Sequence, residues 1–118
     1  MAVVIGTLTQ TKTTNDHYHT TVWTTLLNGD TGSPLSLVGS ADRSVQINGT
    51  FGAGGTIIIE GSNDGVNYVI LTDPQGNTLS KTAAAIEAVL ELTKWIRPRV
   101  SAGDGTTSLT VTLIARKS

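Results

Sequence analysis

Three groups of side chains have types and spacing that could do chemistry. His17 and His19 flank Tyr18. Two apart on a strand, both imidazoles would lie on one face and could reach a single metal ion. The chain has no cysteine to complete such a site, so a polar loop with two exposed histidines is the competing reading. Asn63, Asp64 and Asp73 offer oxygens suited to calcium. However, Asn63-Asp64-Gly65 supplies two side chains and no third, and these residue types equally make tight turns. Trp95, Arg97 and Arg99 alternate along a segment that reads as a strand, which puts all three on one face. Such a row could clamp a phosphate or carboxylate, stack on a sugar or base, or form the centre of an interface. Within the chain its counter-charges would be Glu87 or Glu91. The enrichment of Arg and Trp at interfaces favours a neighbouring subunit.

Nothing in the sequence assembles a catalytic centre. There is no Gly-x-Ser-x-Gly elbow. Glu60, Glu87 and Glu91 are not forced into an acid–base pair. Gly52-Ala53-Gly54-Gly55 joins two strands and opens no helix, which argues against a phosphate loop. No enzyme and no cofactor are expected.

The elements that must position these residues are strands. Threonine is the commonest residue, and with valine and isoleucine it makes up about a third of the chain, a composition suited to pleated, half-buried surfaces. Only 14% of residues are charged and the net charge is −1, which argues against a nucleic-acid partner. No stretch of about 20 apolar residues occurs, so no membrane partner is expected, and Met1–Gly6 lacks the basic region of a signal peptide. The 118 residues fit one domain with an aliphatic core.

Along the chain, Thr20–Leu27 reads as a strand closed by Asn28-Gly29-Asp30. Pro34–Val38 is a short strand, and Gly39–Asp42 a turn. Ser44–Phe51 alternates, with Val45 and Ile47 on one side. Thr56–Glu60 is an apolar run suited to a central strand. A turn at Gly61–Gly65 leads into a strand over Val66–Thr72. Over Lys81–Thr93 the alanines at 83–85 favour a short helix near 82–90, followed by an extended segment. Trp95–Val100 is a strand with Ile96 and Val100 inward. Pro98 cannot donate to a ladder, which predicts an edge or a bulge there. The last strand, Ser108–Ala115, turns Leu109, Val111 and Leu113 inward. About seven to nine short strands with regular turns predict an all-β antiparallel sandwich or jelly roll with at most that one helix. Residues 1–19 form an N-terminal arm or edge segment and 20–118 a single domain. Val3, Val4, Ile5 and Leu8, apolar yet terminal, are candidates to pack on a neighbour.

The run Ile59-Glu60-Gly61-Ser62-Asn63-Asp64-Gly65-Val66-Asn67-Tyr68 resembles a hairpin of discoidin-like carbohydrate-binding sandwiches and of small structural proteins of tailed bacteriophages. Leu71–Asn77, Thr82-Ala83-Ala84, Trp95-Ile96-Arg97-Pro98-Arg99-Val100 and Gly103-Asp104-Gly105-Thr106-Thr107 are similar to the phage proteins as well. The resemblance covers about the last 60 residues, and the N-terminal half resembles no family. It implies a head decoration (cement) protein on the capsid surface of a virion. Its partner would be the major capsid protein, and it would form homo-oligomers, trimers or dimers. The alternatives are a carbohydrate-binding module and a tail or head–tail component. The interface candidates are then Val3, Val4, Ile5, Leu8, Trp95, Arg97 and Arg99, with His17 and His19 as metal candidates.

Overall fold

The β-branched runs become strands in the computed structural model, which describes residues 3–4, 7–11, 18–37 and 40–117. In chain order these are β1 (Val3–Val4), β2 (Thr7–Thr11), β3 (Tyr18–Leu27), β4 (Thr31–Gly32), β5 (Leu35–Ser36) and β6 (Ser40–Thr50). There follow β7 (Thr56–Ser62), β8 (Val69–Ile70), β9 (Ser80–Lys81), β10 (Ala85–Val89), β11 (Trp95–Ala102) and β12 (Ser108–Lys117). Among the described residues there is no helix. One sheet has the order β1-β4-β11-β7-β8, with β5 also against β11 and β9 against β7; the other has the order β10-β6-β12-β3-β2. All pairings are antiparallel except β1 with β4. The fold is the antiparallel β-sandwich that the alternation predicts.

Between the sheets, Val45, Ile47, Leu109, Val111 and Leu113 meet Ile57, Ile59, Ile96 and Val100, all essentially buried. Each such side chain stabilises the fold by about 1.5–3 kcal/mol. Trp23 and Leu26 are both buried although three residues apart. Strict alternation would send one of them to solvent. The β3–β12 register shifts between Leu109 and Val111, and Thr25 there takes a positive φ of 57°. This bulge inserts one residue and returns Leu26 to the core face. A second bulge lies where Ala115 pairs with Arg43 and Arg116 with Ala41, leaving Asp42 between them with a φ of 49°. The segment read as a turn at 39–42 therefore belongs to β6 from Ser40 onward.

Pro98 is not on an edge. β11 pairs along its length with β7, and on its other side with β4 and β5. Pro98 stands opposite Ile59, whose N–H and carbonyl bond to Leu79 and Leu71, away from β11. The missing N–H of Pro98 thus points to the other side, where the chain breaks between β4 and β5. Gly32 makes that close approach possible: a Cβ there would stand 2.6 Å from Pro98 Cδ and 2.8 Å from Trp23 Cδ1. The Trp23 Nε1–H donates to the Ser33 carbonyl at 3.0 Å, tying the two sheets together. Nor does a bulge occur at Pro98: the ladder is regular from Trp95 to Val100, and the register shifts only between Val100 and Ala102.

The helix expected near 82–90 is instead strand β10, paired from Ala85 opposite Ile47 to Val89 opposite Arg43. The local preference of alanine is weak, and a full ladder along β6 outweighs it. The strand expected over 66–72 is reduced to Val69–Ile70, because residues 63–68 form a loop. At the N-terminus, β1 pairs with β4 and β2 with β3, and β3 runs through the 19/20 position.

Candidate functional site

The arginine row lies on the outer face of the first sheet. Ile57 and Ile59 face the core, so Ile58, Glu60 and Ser62 face outward; on β11 the same parity turns Ile96, Pro98 and Val100 in and Trp95, Arg97 and Arg99 out. Register places Arg97 directly opposite Glu60 and Arg99 opposite Ile58, one diagonal step away. Arg97 Nε donates to Glu60 Oε1 at 2.7 Å and Arg99 Nε to Glu60 Oε2 at 3.3 Å. The counter-charge is therefore Glu60, not Glu87 or Glu91. Glu87 pairs with Lys81 at 2.8 Å, and Glu91 accepts from Thr72 N–H at 2.8 Å and from its hydroxyl.

Glu60 is only 4% exposed although it is on an outer face. The 63–68 loop folds back beside it. The Arg97 guanidinium lies 3.7 Å from the centroid of the Tyr68 ring, a cation–π contact. Gly65, with a φ of +78°, passes so near Trp95 that a Cβ would sit 3.2 Å from the indole nitrogen. The loop is held by Asp64, whose carboxylate accepts from Ser62 Oγ and from the N–H groups of Val66 and Asn67, each at 2.8 Å. Those donors, the Asn67 and Val66 N–H groups foremost, hold the Asp64 carboxyl far below the usual carboxylate range. Asn63 Oδ1 accepts from Lys94 N–H at 3.1 Å and anchors the loop to the start of β11.

The cluster holds two guanidinium groups against one carboxylate, a local excess of one positive charge. Only the Nε donors are used on Glu60, and the side chains of Arg97 and Arg99 remain 25% and 38% exposed. The guanidinium tips are available to an anionic group on a partner. Trp95 and Tyr68 are half-buried under the loop and the Arg97 guanidinium, so neither is an open platform for a sugar ring.

The other candidates are placed as follows. Val3 and Val4 are in β1 and Leu8 in β2, opposite Thr21, while Ile5 and His17 lie outside the described residues. His19 is in β3 opposite Ala115. No group of three or more His, Asp or Glu side chains capable of holding a metal occurs among the described residues. The calcium candidates are turn residues: Asp64 caps its loop, and Asp73 accepts from Gln75 N–H at 3.0 Å and Asn77 N–H at 2.9 Å. A surface depression of about 190 Å³ beside β10 is lined by Asp42, Arg43 and Glu91 among others. Each is already engaged: Asp42 with Arg116, Arg43 with the Thr93 carbonyl at 2.5 Å, Glu91 with Thr72. No free acid–base pair faces it. Sequence reasoning named Glu60 only as an acid–base candidate and did not bring it or Tyr68 to the arginine row. The parity of Glu60 with Ile58 signals its outward face, but only the β7–β11 register brings it to Arg97.

No protein-family model matches the chain, and no curated protein matches it in sequence. Among solved structures, the SPBc2 prophage-derived protein YomS superposes with a TM-score of 0.65 at 14% identity, over 85% of this chain and 95% of that one. The two share a fold across nearly their whole lengths. A part of IMPa metallopeptidase in complex with T-antigen aligns at a TM-score of 0.41 and 10% identity, over 96% of this chain and 13% of that one, too low to bear on fold or activity.

Proposed function

We propose that the chain is a non-enzymatic structural protein of a bacteriophage particle, a decoration (cement) protein of the capsid surface that stabilises the shell by binding the major capsid protein. The observation that carries this reading is the Glu60–Arg97–Arg99 cluster, a rigid, positively biased patch at the centre of a sheet. The shared fold with a prophage-derived protein and the phage-like segments between Ile59 and Thr107 support the phage setting. Repeated over a lattice, many modest contacts of this kind give high avidity without a tight single site.

The patch also separates the two arginines. Arg97 is closer to Glu60 and stacked on Tyr68, so it serves the fold first. Arg99 is the more exposed, at 38%, and its bond to Glu60 is longer. Removing Arg99 therefore tests the partner with little cost to the fold. Particles assembled without the protein, incubated with it and pelleted, should retain the wild type and lose Arg99→Ala. Equal retention of both would remove the arginine face from the account, and retention only on isolated tails would move the protein to the tail.

A further inference from the structure

Strand β10 ends the second sheet, and among the described residues no strand lies against its far edge. The direction of its free groups can be read from the chain. Leu90 N–H donates to the Thr72 carbonyl at 2.9 Å, on the side away from β6. Backbone groups alternate along a strand, so the N–H and C=O groups of Ile86 and Ala88 point the same way, into solvent. No hydrogen bond to them exists among the described residues. Exposed edges are normally protected by lysine or proline, by a bulge, by shortness or by an inward-pointing charge. β10 is short but has no lysine, proline or bulge: its sequence is Ala-Ile-Glu-Ala-Val, and its register with β6 is unbroken. Its one inward charge, Glu87, is neutralised by Lys81 at 2.8 Å. Its outer side presents Ile86, 65% exposed, beside alanine.

We infer that β10 is a pairing edge for a second copy of this chain, which joins antiparallel across a two-fold axis at Ile86. The edge is identical on every copy, and antiparallel pairing about a two-fold axis satisfies it with itself. Register follows from charge and size. An axis at Glu87 would put two carboxylates directly opposite one another, which is unfavourable. An axis at Ala88 would need Leu90 N–H, which Thr72 already holds. An axis at Ile86 sets Ile86 against Ile86 of the second copy, with Ala84 against Ala88 on either side. The small alanines admit the approach, and the two isoleucines cover each other on the outer face. This pairing is independent of the function proposed above. The contact is small against a stable interface of about 1,200–2,000 Å², so the pairing is weak and forms only at high concentration.

Sedimentation across a concentration series, up to the millimolar range, tests it. The mass should rise from 12.3 kDa toward twice that value. Ile86→Lys, which sets like charges face to face at the axis, should stay at 12.3 kDa with an unchanged melting temperature. Amide exchange on the wild type is the second readout: the Ile86 and Ala88 amides should be protected at high concentration and exchange freely on dilution. A wild type that stays monomeric overturns the inference, as does an Ile86→Lys variant that still dimerises. Ile86 and Ala88 amides that exchange freely at every concentration overturn it even if the variant fails to fold.

Discussion

Replacing Arg97 by alanine removes the shortest contact of the cluster and leaves Glu60 with Arg99 alone. The lost bond is charge-assisted, at 2.7 Å, to a carboxylate only 4% exposed. Hydrogen bonds to charged groups contribute about 1.5–3 kcal/mol. The Tyr68 contact adds about 0.5–1 kcal/mol at a partly exposed site. Against this, the Arg97 side chain is 25% exposed and Arg99 remains at 3.3 Å, so water and the second arginine recover part of the loss. The net cost is about 2 kcal/mol, which for a domain of this size lowers the melting temperature by roughly 6–12 °C. Arg99→Ala, a longer and more exposed pair, should cost less than about 1 kcal/mol. Thermal unfolding of both variants, with Glu60→Gln completing a double-mutant cycle, measures the ordering. An Arg97→Ala variant that melts with the wild type, or one less perturbed than Arg99→Ala, would refute the claim that Glu60 is held chiefly by Arg97.

Three further outcomes are expected. Gly32→Ala drives a methyl into the Pro98 ring and Trp23, and should cost about 1–3 kcal/mol or more, read as a lower denaturation midpoint. Asp104 is held down to about 2 by the Thr106 hydroxyl and the Ala53 and Thr106 N–H groups, and Asp64 is held down by its own loop donors. Their folded values lie below the unfolded ones, so the stability they contribute is complete above about pH 4 and is lost as pH falls through the folded values. Melting temperatures should therefore fall on acidification toward pH 2, and Asp104→Asn should flatten that fall. Deleting residues 1–11 removes β1 and β2 from their places beside β4 and β3, and should lower the melting temperature of the isolated protein.

Strands with clean alternation were legible in the sequence. Val45 and Ile47, or Leu109, Val111 and Leu113, declare an inner face by period two, and the structure buries them. The shared outward face of Arg97 and Arg99 was legible for the same reason. What the sequence did not carry was register. Glu60 meets Arg97 because β7 and β11 align across about 37 residues of chain, a fact of topology and not of local pattern. The bulge at Thr25 breaks period two inside β3, so Trp23 and Leu26 could not both be assigned to the core from alternation. The alanines at 83–85 point to helix by propensity, and only the open edge of β6 explains why the segment they lead into is extended. Pro98 suggested an edge, since nothing local announces a break between β4 and β5 beside it.

The central claim is that this sandwich sits on the capsid shell with the outer face of its β7–β11 sheet against the major capsid protein. Electron cryomicroscopy of the parent particle, with this chain fitted into the density, tests it most directly. The account predicts density for the sandwich on the outer capsid surface, with Arg97 and Arg99 within reach of acidic side chains of the shell. Density for the chain in the tail, or on the capsid with this face turned to solvent, would contradict it.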